Sequence, residues 1–551
     1  METIPYLPHS SRADEFINHQ EILDTLEYAR ENKNNRTLIE RLIDKAALCK
    51  GLTHREAALL LECDQPDLTE RIFHLAKEIK QKLYGNRIVM FAPLYLSNYC
   101  VNGCTYCPYH LKNKTIARKK LTQEEIRREV IALQDMGHKR LALEAGEHPI
   151  LNPLEYILES IETIYSIKHK NGAIRRVNVN IAATTVENYR KLKDAGIGTY
   201  ILFQETYHKE NYEKLHPTGP KSNYAWHTEA MDRAMQGGID DVGIGVLFGL
   251  NTFKYDFTGL LMHAEHLEAV FGVGPHTISV PRICPADDID TADFPNAVSD
   301  DIFRRIVAVI RIAVPYTGMI ISTRESQESR QQVLDIGISQ ISGGSRTSVG
   351  GYAVPEPLSE NSAQFDLNDT RTLDEIVSWL LDLGYIPSFC TACYRAGRTG
   401  DRFMSLVKSG QIANCCGPNA LMTLKEYLED YASPATRIKG ESLIAAEAAG
   451  IPNPKIKEIA IRKVNGAEAS HILRLLIREI LYVSASSILI GTIVSYFVGK
   501  AWLDQFAEQI YMNPLLFVGT ALFVLLLIVV CVVLKAWHIA NENPVKSIKS
   551  E

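Results

Sequence analysis

Eight short apolar runs alternate with helix-length stretches along the middle of the chain, and this alternation restricts the possible folds more than any other feature. Runs rich in Val and Ile are typical of strands buried on both faces of a parallel sheet. About 250 residues for eight strand–helix units favour a closed (β/α)8 barrel over an open sheet. The predicted strands cover 88–96, 140–145, 177–182, 199–204, 241–247, 277–280, 318–322 and 338–341.

Helical patterns occupy the gaps between these runs and most of the first 85 residues. In that first segment we expect a helix over 14–32, and Thr53 with Glu56 has the form of a capping box that opens another helix. The expected fold class is therefore α/β, with a helical N-terminal extension on the barrel. The helices predicted between the strands cover 122–136, 153–169, 185–195, 224–237, 256–271 and 300–314.

Charge and cysteine content restrict the partners and the compartment. The 59 basic and 65 acidic residues give a net charge of −6, which provides no electrostatic reason to expect nucleic acid as a ligand. The N-terminus has no apolar segment that directs export, and an odd total of 11 cysteines argues against a secreted disulfide framework, so we expect a cytoplasmic enzyme. The isolated cysteines are interpreted as small buried hydrophobic residues: Cys49, Cys63, Cys284 and Cys531.

The first cysteine group follows the first predicted strand as a CxxxCxxC array of Cys100, Cys104 and Cys107. Three thiolates can hold three irons of a 4Fe–4S cluster and leave the fourth iron open to an outside ligand. Zinc normally takes four protein ligands, and adding His110 does not give an ordinary finger spacing. Three unliganded thiols in a loop would oxidise. The array therefore predicts a 4Fe–4S cluster.

The second cysteine group is a CxxC of Cys390 and Cys393, followed by Cys416. Cys415 is adjacent, so either of these two thiols could be the third ligand. A redox dithiol and a zinc site are alternatives. In a chain that already carries an iron–sulfur motif, three cysteines favour a second 4Fe–4S cluster, with Cys416 as the third ligand.

Polar residues follow several predicted strands, at the ends where such barrels carry their chemistry. Arg324 is a planar, bidentate partner for a substrate carboxylate, and Ser322 lies two residues away on the same strand face. The alternative for Arg324 is a salt bridge to Glu325 or to a neighbouring helix. Glu205 and Tyr207, at the end of the fourth strand, are further candidate pocket residues.

The CxxxCxxC spacing, with the aromatic Tyr106 before its last cysteine, resembles the radical S-adenosylmethionine superfamily. This resemblance implies that the open iron binds the amino and carboxylate groups of S-adenosylmethionine. It also implies that reduction of the cluster yields a 5′-deoxyadenosyl radical that abstracts hydrogen from the substrate. Ala145, Gly146 and Glu147 stand in place of the superfamily's GGE motif, with alanine as its first residue, and Glu147 is expected to accept from the methionyl ammonium.

Gly243 and Gly245, at the end of the fifth predicted strand, fit a close approach by the adenosine. A glycine pattern is weak evidence by itself.

A closer resemblance is carried by LEAGEHP, FQETYHKENYEKLHPTGPK, VGPHTISVPR, ISTRES and FCTACYRAGRTGDRFM. Over about residues 1–467 the chain is similar to the tyrosine lyases of FeFe-hydrogenase maturation. It resembles more distantly the tyrosine lyases of thiamine biosynthesis, which are not expected to carry the second cluster. The first resemblance implies cleavage of the Cα–Cβ bond of L-tyrosine to p-cresol and dehydroglycine, and conversion of dehydroglycine to carbon monoxide and cyanide at the second cluster.

The same resemblance implies an extra iron at the second cluster, held partly by a histidine and by a free cysteine molecule. His263 is the candidate that we choose, with His266 as the alternative. Implied partners are an electron donor such as ferredoxin or flavodoxin and other hydrogenase maturation proteins.

Two runs near the C-terminus, 480–499 and 509–534, contain no charged residue and are long enough to span a bilayer. Flanking cations predict a hairpin with both ends in the cytoplasm; these are Arg474, Arg478, Lys535, Lys546 and Lys549. A pair of buried soluble helices is the alternative, although the second run has no polar face.

The strings REILYVSASS, WLDQFAEQIY and ENPVKSIKSE resemble the C-terminal end of FtsX/MacB-type ABC transporter permeases. The tail is then either a genuine inner-membrane anchor or a fused reading frame from gene calling or assembly, and we favour the second. A membrane transport subunit that carries a passenger enzyme is a further alternative, disfavoured because the chain has no nucleotide-binding P-loop.

These patterns together predict four segments. They are a helical N-terminal region (1–85), a radical S-adenosylmethionine barrel (86–350), a C-terminal auxiliary cluster region (351–467) and a transmembrane hairpin (468–551).

Overall fold

The fold is described from a computed structural model over residues 4–355, 360–395, 397–451, 453–464, 466, 469–506, 511 and 513–541. The chain divides into two compact units, Met1–Glu447 and Ala448–Glu551. The predicted boundary near 467 stays a prediction, and residues 467 and 468 lie outside the described part.

The N-terminal region is helical, as predicted. Asn18 and Thr53 cap helices with their side-chain oxygens, and Thr53 forms the predicted capping box with Glu56. The single helix predicted over 14–32 is two helices, because the chain leaves helical geometry at Ile17 and Asn18. The helices are α1 (Ala13–Phe16), α2 (His19–Asn32), α3 (Arg36–Ala47), α4 (His54–Glu62) and α5 (Pro66–Tyr84).

The middle of the chain forms a closed parallel barrel, which confirms the predicted fold class. Eight strands pair in parallel in the order β10-β9-β8-β7-β6-β5-β2-β1, and β10 pairs with β1 to close the barrel. The strands are β1 (Arg87–Ser97), β2 (Arg140–Ala145), β3 (Lys168–His169), β4 (Gly172–Ala173), β5 (Arg176–Asn180), β6 (Tyr200–Ile201), β7 (Val242–Gly245), β8 (Thr277–Ser279), β9 (Gly318–Ile321), β10 (Gln340–Ser342) and β11 (Ile386–Ser388). The short strands β3 and β4 form a separate antiparallel pair.

Helices cover the barrel at the predicted positions, although the helix predicted over 224–237 is two helices, and the helices Lys209–Leu215 and Gln327–Leu334 are additional. Of these, α4 and α5 pack against α13, so the N-terminal region lies on the outer helix layer. The helices are α6 (Gln123–Asp135), α7 (Leu154–Ser166), α8 (Val186–Asp194), α9 (Lys209–Leu215), α10 (Tyr224–Thr228), α11 (Ala230–Gln236), α12 (Phe253–Phe271), α13 (Asp300–Ala313), α14 (Gln327–Leu334), α15 (Leu373–Asp382), α16 (Ala392–Arg395), α17 (Gly400–Lys408), α18 (Ile412–Asp430) and α19 (Pro434–Ala449).

Strand β11 extends the sheet beyond the closed barrel, and the sequence did not predict it. It pairs with the first residues of β1, with Arg87 opposite Ile386 and Val89 opposite Ser388. Because Cys390 follows β11 by two residues, this pairing fixes the second cysteine group at the amino ends of the barrel strands.

The second unit contains α20 (Pro454–Val464), α21 (Ala469–Leu503) and α22 (Pro514–Asn541). Two stretches, Leu481–Leu503 and Pro514–Cys531, are long and apolar enough to cross a membrane, and neither is buried against protein. These are the predicted candidate membrane spans. Lys546, Lys549 and the terminal string ENPVKSIKSE lie outside the described residues.

Candidate functional site

A cavity of about 1190 Å³, open to solvent, lies at the carboxyl ends of the barrel strands. Loops after β1, β2 and β6 and the end of β9 contribute its polar walls. The structure therefore brings together most of the residues predicted for the first site. Its walls include Cys100, Cys104, Tyr106, Cys107, Ala145, Gly146, Glu147, Glu205 and Arg324.

The three thiols of the first group suit an iron–sulfur cluster. None of them is in a disulfide, and all three line the same cavity. Burial raises the pKa of Cys104 to about 12 and raises the pKa of Cys107 further above its usual range. Such thiols are deprotonated only when a metal displaces the proton, and three thiolates are the donor set that a 4Fe–4S cluster with one open iron requires.

Residues 145–147 are bound to the cysteine loop through the backbone. Val101 N donates to Glu147 O at 2.8 Å, and Gly146 N donates to Ser97 O at 2.9 Å. A Cβ atom on Gly146 would lie 2.5 Å from the carbonyl oxygen of Tyr99, so the second position of this motif has no room for a side chain. Burial raises the pKa of Glu147, which lies on the cavity wall.

Tyr106 is held on the cavity wall by His216, a residue that the sequence did not single out. The Tyr106 hydroxyl lies 2.7 Å from His216 Nε2, and His216 Nδ1 lies 2.7 Å from Tyr212 O. Burial lowers the pKa of His216 to about 3, so the ring is neutral. A neutral ring donates from Nδ1 to the Tyr212 carbonyl and accepts from the Tyr106 hydroxyl at Nε2.

Glu205 lines the cavity as predicted, whereas Tyr207 does not. Glu205 has a left-handed backbone (φ 69°), and its Oε1 accepts from Lys221 Nζ at 2.8 Å. Tyr207 is 1% exposed, and its hydroxyl lies 2.9 Å from His263 Nδ1 in the helix layer. The loop after β6 turns at Glu205, so these two residues, which were expected to share a pocket, lie apart.

Arg324 and Ser322 line a second space of about 820 Å³ inside the barrel. The Arg324 guanidinium carbon lies 3.7 Å from the ring centre of Phe365. Glu325 binds Arg282 instead, so the alternative salt bridge between Arg324 and Glu325 is not formed.

Glu144 lines both this interior space and the first cavity, although the sequence alone assigns it no role. Burial raises the pKa of Glu144 well above its usual range, and nearby Arg324 opposes this shift. The sequence feature that points to Glu144 is its position at the end of β2, three residues before Glu147.

Gly243 and Gly245 are absent from the walls of the described cavities and lie buried within β7. A Cβ on Gly243 would lie 2.5 Å from Thr277 Oγ1, and one on Gly245 would lie 2.7 Å from the Phe203 ring. Close packing between neighbouring strands accounts for both glycines, and the expected contact with adenosine stays a prediction.

The second cysteine group lines a cavity of about 620 Å³ at the opposite, amino end of the barrel strands. Cys416 lines it and is buried, whereas Cys415 is not part of its wall. A hydrogen bond from the Cys393 thiol and the nearby Arg87 hold the pKa of Cys416 below its usual range. The other wall residues include Arg140, Asp241, His276, Cys390, Tyr394 and Arg398.

His263 and His266 do not reach this cavity. His263 contacts Tyr207, and His266 stacks on Phe16 with ring centres 3.7 Å apart. The prediction for His263 assumed that the second group lies at the carboxyl end of the barrel. Because the group lies at the amino end, His276, which directly precedes β8, is the histidine on its wall.

The interior space shares residues with the cavities at both ends. Glu144, Asn180 and Arg324 line both the interior space and the first cavity. Gln340 lines both the interior space and the second cavity. The two cysteine groups thus lie at opposite ends of the barrel, and the interior space shares wall residues with the cavity at each end.

This architecture agrees with the comparisons with known proteins. The chain matches the Radical SAM superfamily over residues 94–257, the Biotin and Thiamin Synthesis associated domain over 279–386 and the FtsX-like permease C-terminal family over 453–544. It is 30% identical over 349 residues to the 2-iminoacetate synthase of Salmonella typhimurium, covering 63% of this chain and 89% of that protein.

Solved structures give a closer match. A crystal structure of HydG, a maturase of the FeFe-hydrogenase, is 56% identical, covers 82% of this chain and 97% of its own, and has a TM-score of 0.79. The HydG of Carboxydothermus hydrogenoformans is 40% identical, covers 81% of this chain and 98% of its own, and has a TM-score of 0.71. The chain therefore belongs to the radical S-adenosylmethionine superfamily and, within it, to the family of the FeFe-hydrogenase maturase HydG.

Proposed function

We propose that the chain cleaves the Cα–Cβ bond of L-tyrosine to p-cresol and dehydroglycine, and converts dehydroglycine to carbon monoxide and cyanide for assembly of the FeFe-hydrogenase cofactor. The observation that supports this most is the placement of the two cysteine groups in cavities at opposite ends of one barrel, with an interior space that shares wall residues with both cavities. A single-site lyase has no use for the second group.

Membership of the superfamily implies a 4Fe–4S cluster and S-adenosylmethionine in the first cavity. Cys100, Cys104 and Cys107 are the residues that hold this cluster in our proposal, and Glu147 binds the methionyl amino group. When bound, the cluster supplies the electron that cleaves S-adenosylmethionine, and a second cluster supplies an iron site for the diatomic products.

Arg324 binds and orients the substrate in this proposal. Its guanidinium is stacked on Phe365, which limits its freedom before a ligand arrives. A planar guanidinium and the nearby Ser322 hydroxyl together match the carboxylate of an amino acid.

The second cavity provides three thiols and a positive surrounding for the second stage. Cys390, Cys393 and Cys416 hold the auxiliary cluster in this proposal, and His276 replaces His263 as the candidate ligand of an extra iron. A free cysteine molecule is the proposed additional ligand. Three guanidinium groups on the wall favour anions such as carboxylate and cyanide, and they belong to Arg87, Arg140 and Arg398.

The partners proposed are an electron donor such as ferredoxin or flavodoxin and the other hydrogenase maturation proteins. The enzyme unit is placed in the cytoplasm. For the tail, an inner-membrane anchor and a fused reading frame remain the two accounts, and the second is favoured. Sequencing the locus across codons 460–475 in a clonal isolate decides between them, because an intervening stop codon excludes the anchor.

Anaerobic reconstitution with iron, sulfide, S-adenosylmethionine, L-tyrosine and dithionite tests the proposal. We expect p-cresol by chromatography and carbon monoxide by binding to deoxyhaemoglobin. Formation of no p-cresol contradicts the proposal. Formation of p-cresol without carbon monoxide supports a lyase of the thiamine type instead.

A further inference from the structure

The side chain of Asn102 connects three segments of the first cavity. Asn102 lies between Cys100 and Cys104 and is 2% exposed. Its Nδ2 donates to Glu147 Oε2 at 2.7 Å and to Cys100 Sγ at 3.7 Å. Its Oδ1 accepts from Lys221 N at 3.0 Å. One amide thus contacts the proposed cluster ligand Cys100, the Glu147 carboxylate that is proposed to bind the cofactor, and the loop that carries Lys221.

These partners fix the orientation of the amide. The backbone N–H of Lys221 can only donate, so it requires the amide oxygen on its side. The NH2 group then faces Glu147 and Cys100, which supply two acceptors for its two hydrogens. A flipped amide would lose all three bonds, so only one orientation is stable.

The backbone around Asn102 is held just as closely. Leu111 N donates to Asn102 O at 2.8 Å, and Gly103 N donates to Thr218 O at 3.0 Å. Gly219 has φ 93°, and a Cβ atom there would clash with Asn102 Oδ1. The close approach of the two loops therefore depends on a glycine opposite the amide.

We propose that Asn102 is a positioning residue of the cofactor site. It holds Glu147 by Oε2 so that the other oxygen of the carboxylate is available to the methionyl ammonium of S-adenosylmethionine. It also donates a hydrogen bond to the Cys100 thiolate that holds the cluster. The inference rests on the superfamily's cofactor and not on tyrosine cleavage, so its failure and that of the proposed function can be told apart.

Two measurable properties depend on these bonds. A carboxylate that loses its orienting donor binds an ammonium less well, and a lost charge-assisted hydrogen bond weakens binding by about tenfold. A hydrogen bond to a cluster sulfur stabilises the reduced cluster, so its removal lowers the reduction potential.

The test compares Asn102→Ala with Asn113→Ala in the reconstituted full-length protein. Asn113 is a matched control, because it is buried in the same loop and its Nδ2 donates to Pro108 O and Asp287 Oδ2. Equilibrium dialysis measures the dissociation constant of S-adenosylmethionine. An EPR-monitored titration measures the potential of the cluster whose signal changes when the cofactor is added.

For N102A we expect a dissociation constant raised by about tenfold or more and a lower cluster potential, with both values for N113A close to wild type. A double-mutant cycle with Glu147→Ala separates positioning from general damage. If Asn102 acts through Glu147, N102A adds less than about twofold to the effect of E147A. Wild-type affinity in N102A, or fully additive effects in the cycle, would overturn the inference.

Asn102→Asp is measured if N102A does not take up the first cluster, because aspartate keeps the acceptor for Lys221 N and therefore the loop contact. This variant should also bind S-adenosylmethionine weakly, since it removes the donor and places a second carboxylate beside Glu147. Loss of the cluster in both variants, with normal loading of N113A, would contradict the inference by making Asn102 a residue of loop folding. If N102A binds the cofactor weakly and the wild type forms no p-cresol, the inference on Asn102 holds and only the proposed tyrosine reaction is contradicted.

Discussion

Glu325 binds Arg282, with 3.1 Å between Glu325 Oε1 and Arg282 Nε, and so does not hold its chain neighbour Arg324. Arg324 instead stacks on Phe365 at the wall of the barrel interior. A guanidinium that is stacked in place while the adjacent carboxylate is engaged elsewhere is suited to an external carboxylate.

Replacing Arg324 therefore tests substrate binding. We expect Arg324→Gln to raise the KM for L-tyrosine by roughly 10-fold to 100-fold, because a charge-assisted hydrogen bond contributes about 1.5–3 kcal/mol. The dissociation constant of S-adenosylmethionine should stay near wild type. Arg190→Gln, on an exposed part of α8, is the control and should change neither value. An unchanged KM in R324Q contradicts the assignment.

Gly146 has no space for a side chain, since a Cβ atom would lie 2.5 Å from a backbone oxygen of Tyr99. We expect Gly146→Ala to displace residues 145–147 and to weaken S-adenosylmethionine binding by about tenfold, which corresponds to about 1.4 kcal/mol. Ala145→Gly is the matched control and should bind the cofactor normally. Equilibrium dialysis of both variants measures the dissociation constant of S-adenosylmethionine. A wild-type value for G146A contradicts the claim that position 146 has no room for a side chain.

Burial lowers the pKa of His138 to about 3, so its folded form binds fewer protons than the unfolded chain, where the pKa is about 6.5. The contribution of this neutral histidine to stability is complete above about pH 6.5 and is lost as the pH falls toward 3. As the pH falls over that range, the free energy of unfolding of the wild type should decrease by up to about 1.4 kcal/mol per pH unit more than that of His138→Leu.

Urea unfolding of the cluster-free protein at several pH values gives the slope of the free energy of unfolding against pH for each variant. His74→Leu is the control, because the His74 side chain is 74% exposed. Equal slopes in the wild type and H138L rule out a neutral buried histidine at this position.

The apolar stretches Leu481–Leu503 and Pro514–Cys531 predict how the full chain partitions. We expect the full-length protein to sediment with membranes and to require detergent for release, because neither stretch is covered by protein. A chain that ends at residue 451 should stay in the supernatant after ultracentrifugation. Full-length protein in the supernatant without detergent shows that these helices do not enter a bilayer.

The barrel and the assembly of each cysteine group around one cavity could be predicted from the sequence because both signals are local. Each strand is a continuous apolar run, and CxxxCxxC and CxxC are spacings within a few residues. Nothing local in the sequence favours Cys416 over Cys415, because which of the two thiols lines the cavity depends on which face of α18 meets β11.

The misplacement of the second cysteine group has one physical origin, which is strand pairing between residues distant in sequence. Strand β11 is three residues long and contains a proline, so nothing local marks it as a partner of β1. Without that pairing, the second cysteine group was assumed to share the carboxyl end of the barrel. His263 was therefore preferred to His276, although the string VGPHTISVPR places His276 just before β8.

Asn102 was missed for a related reason. Its three partners belong to residues 100, 147 and 221, and no spacing in the sequence shows that one amide reaches all of them.

The division of the reaction between two ends of the barrel is tested most directly by comparing Cys416→Ser with Cys415→Ser. Both reconstituted variants are given L-tyrosine, and p-cresol, carbon monoxide and bound iron are measured in the same samples. We predict that C416S forms p-cresol at the wild-type level, loses carbon monoxide and about half of the iron, and that C415S keeps all three. Carbon monoxide formed by C416S at the wild-type level, or p-cresol lost together with it, would contradict the account.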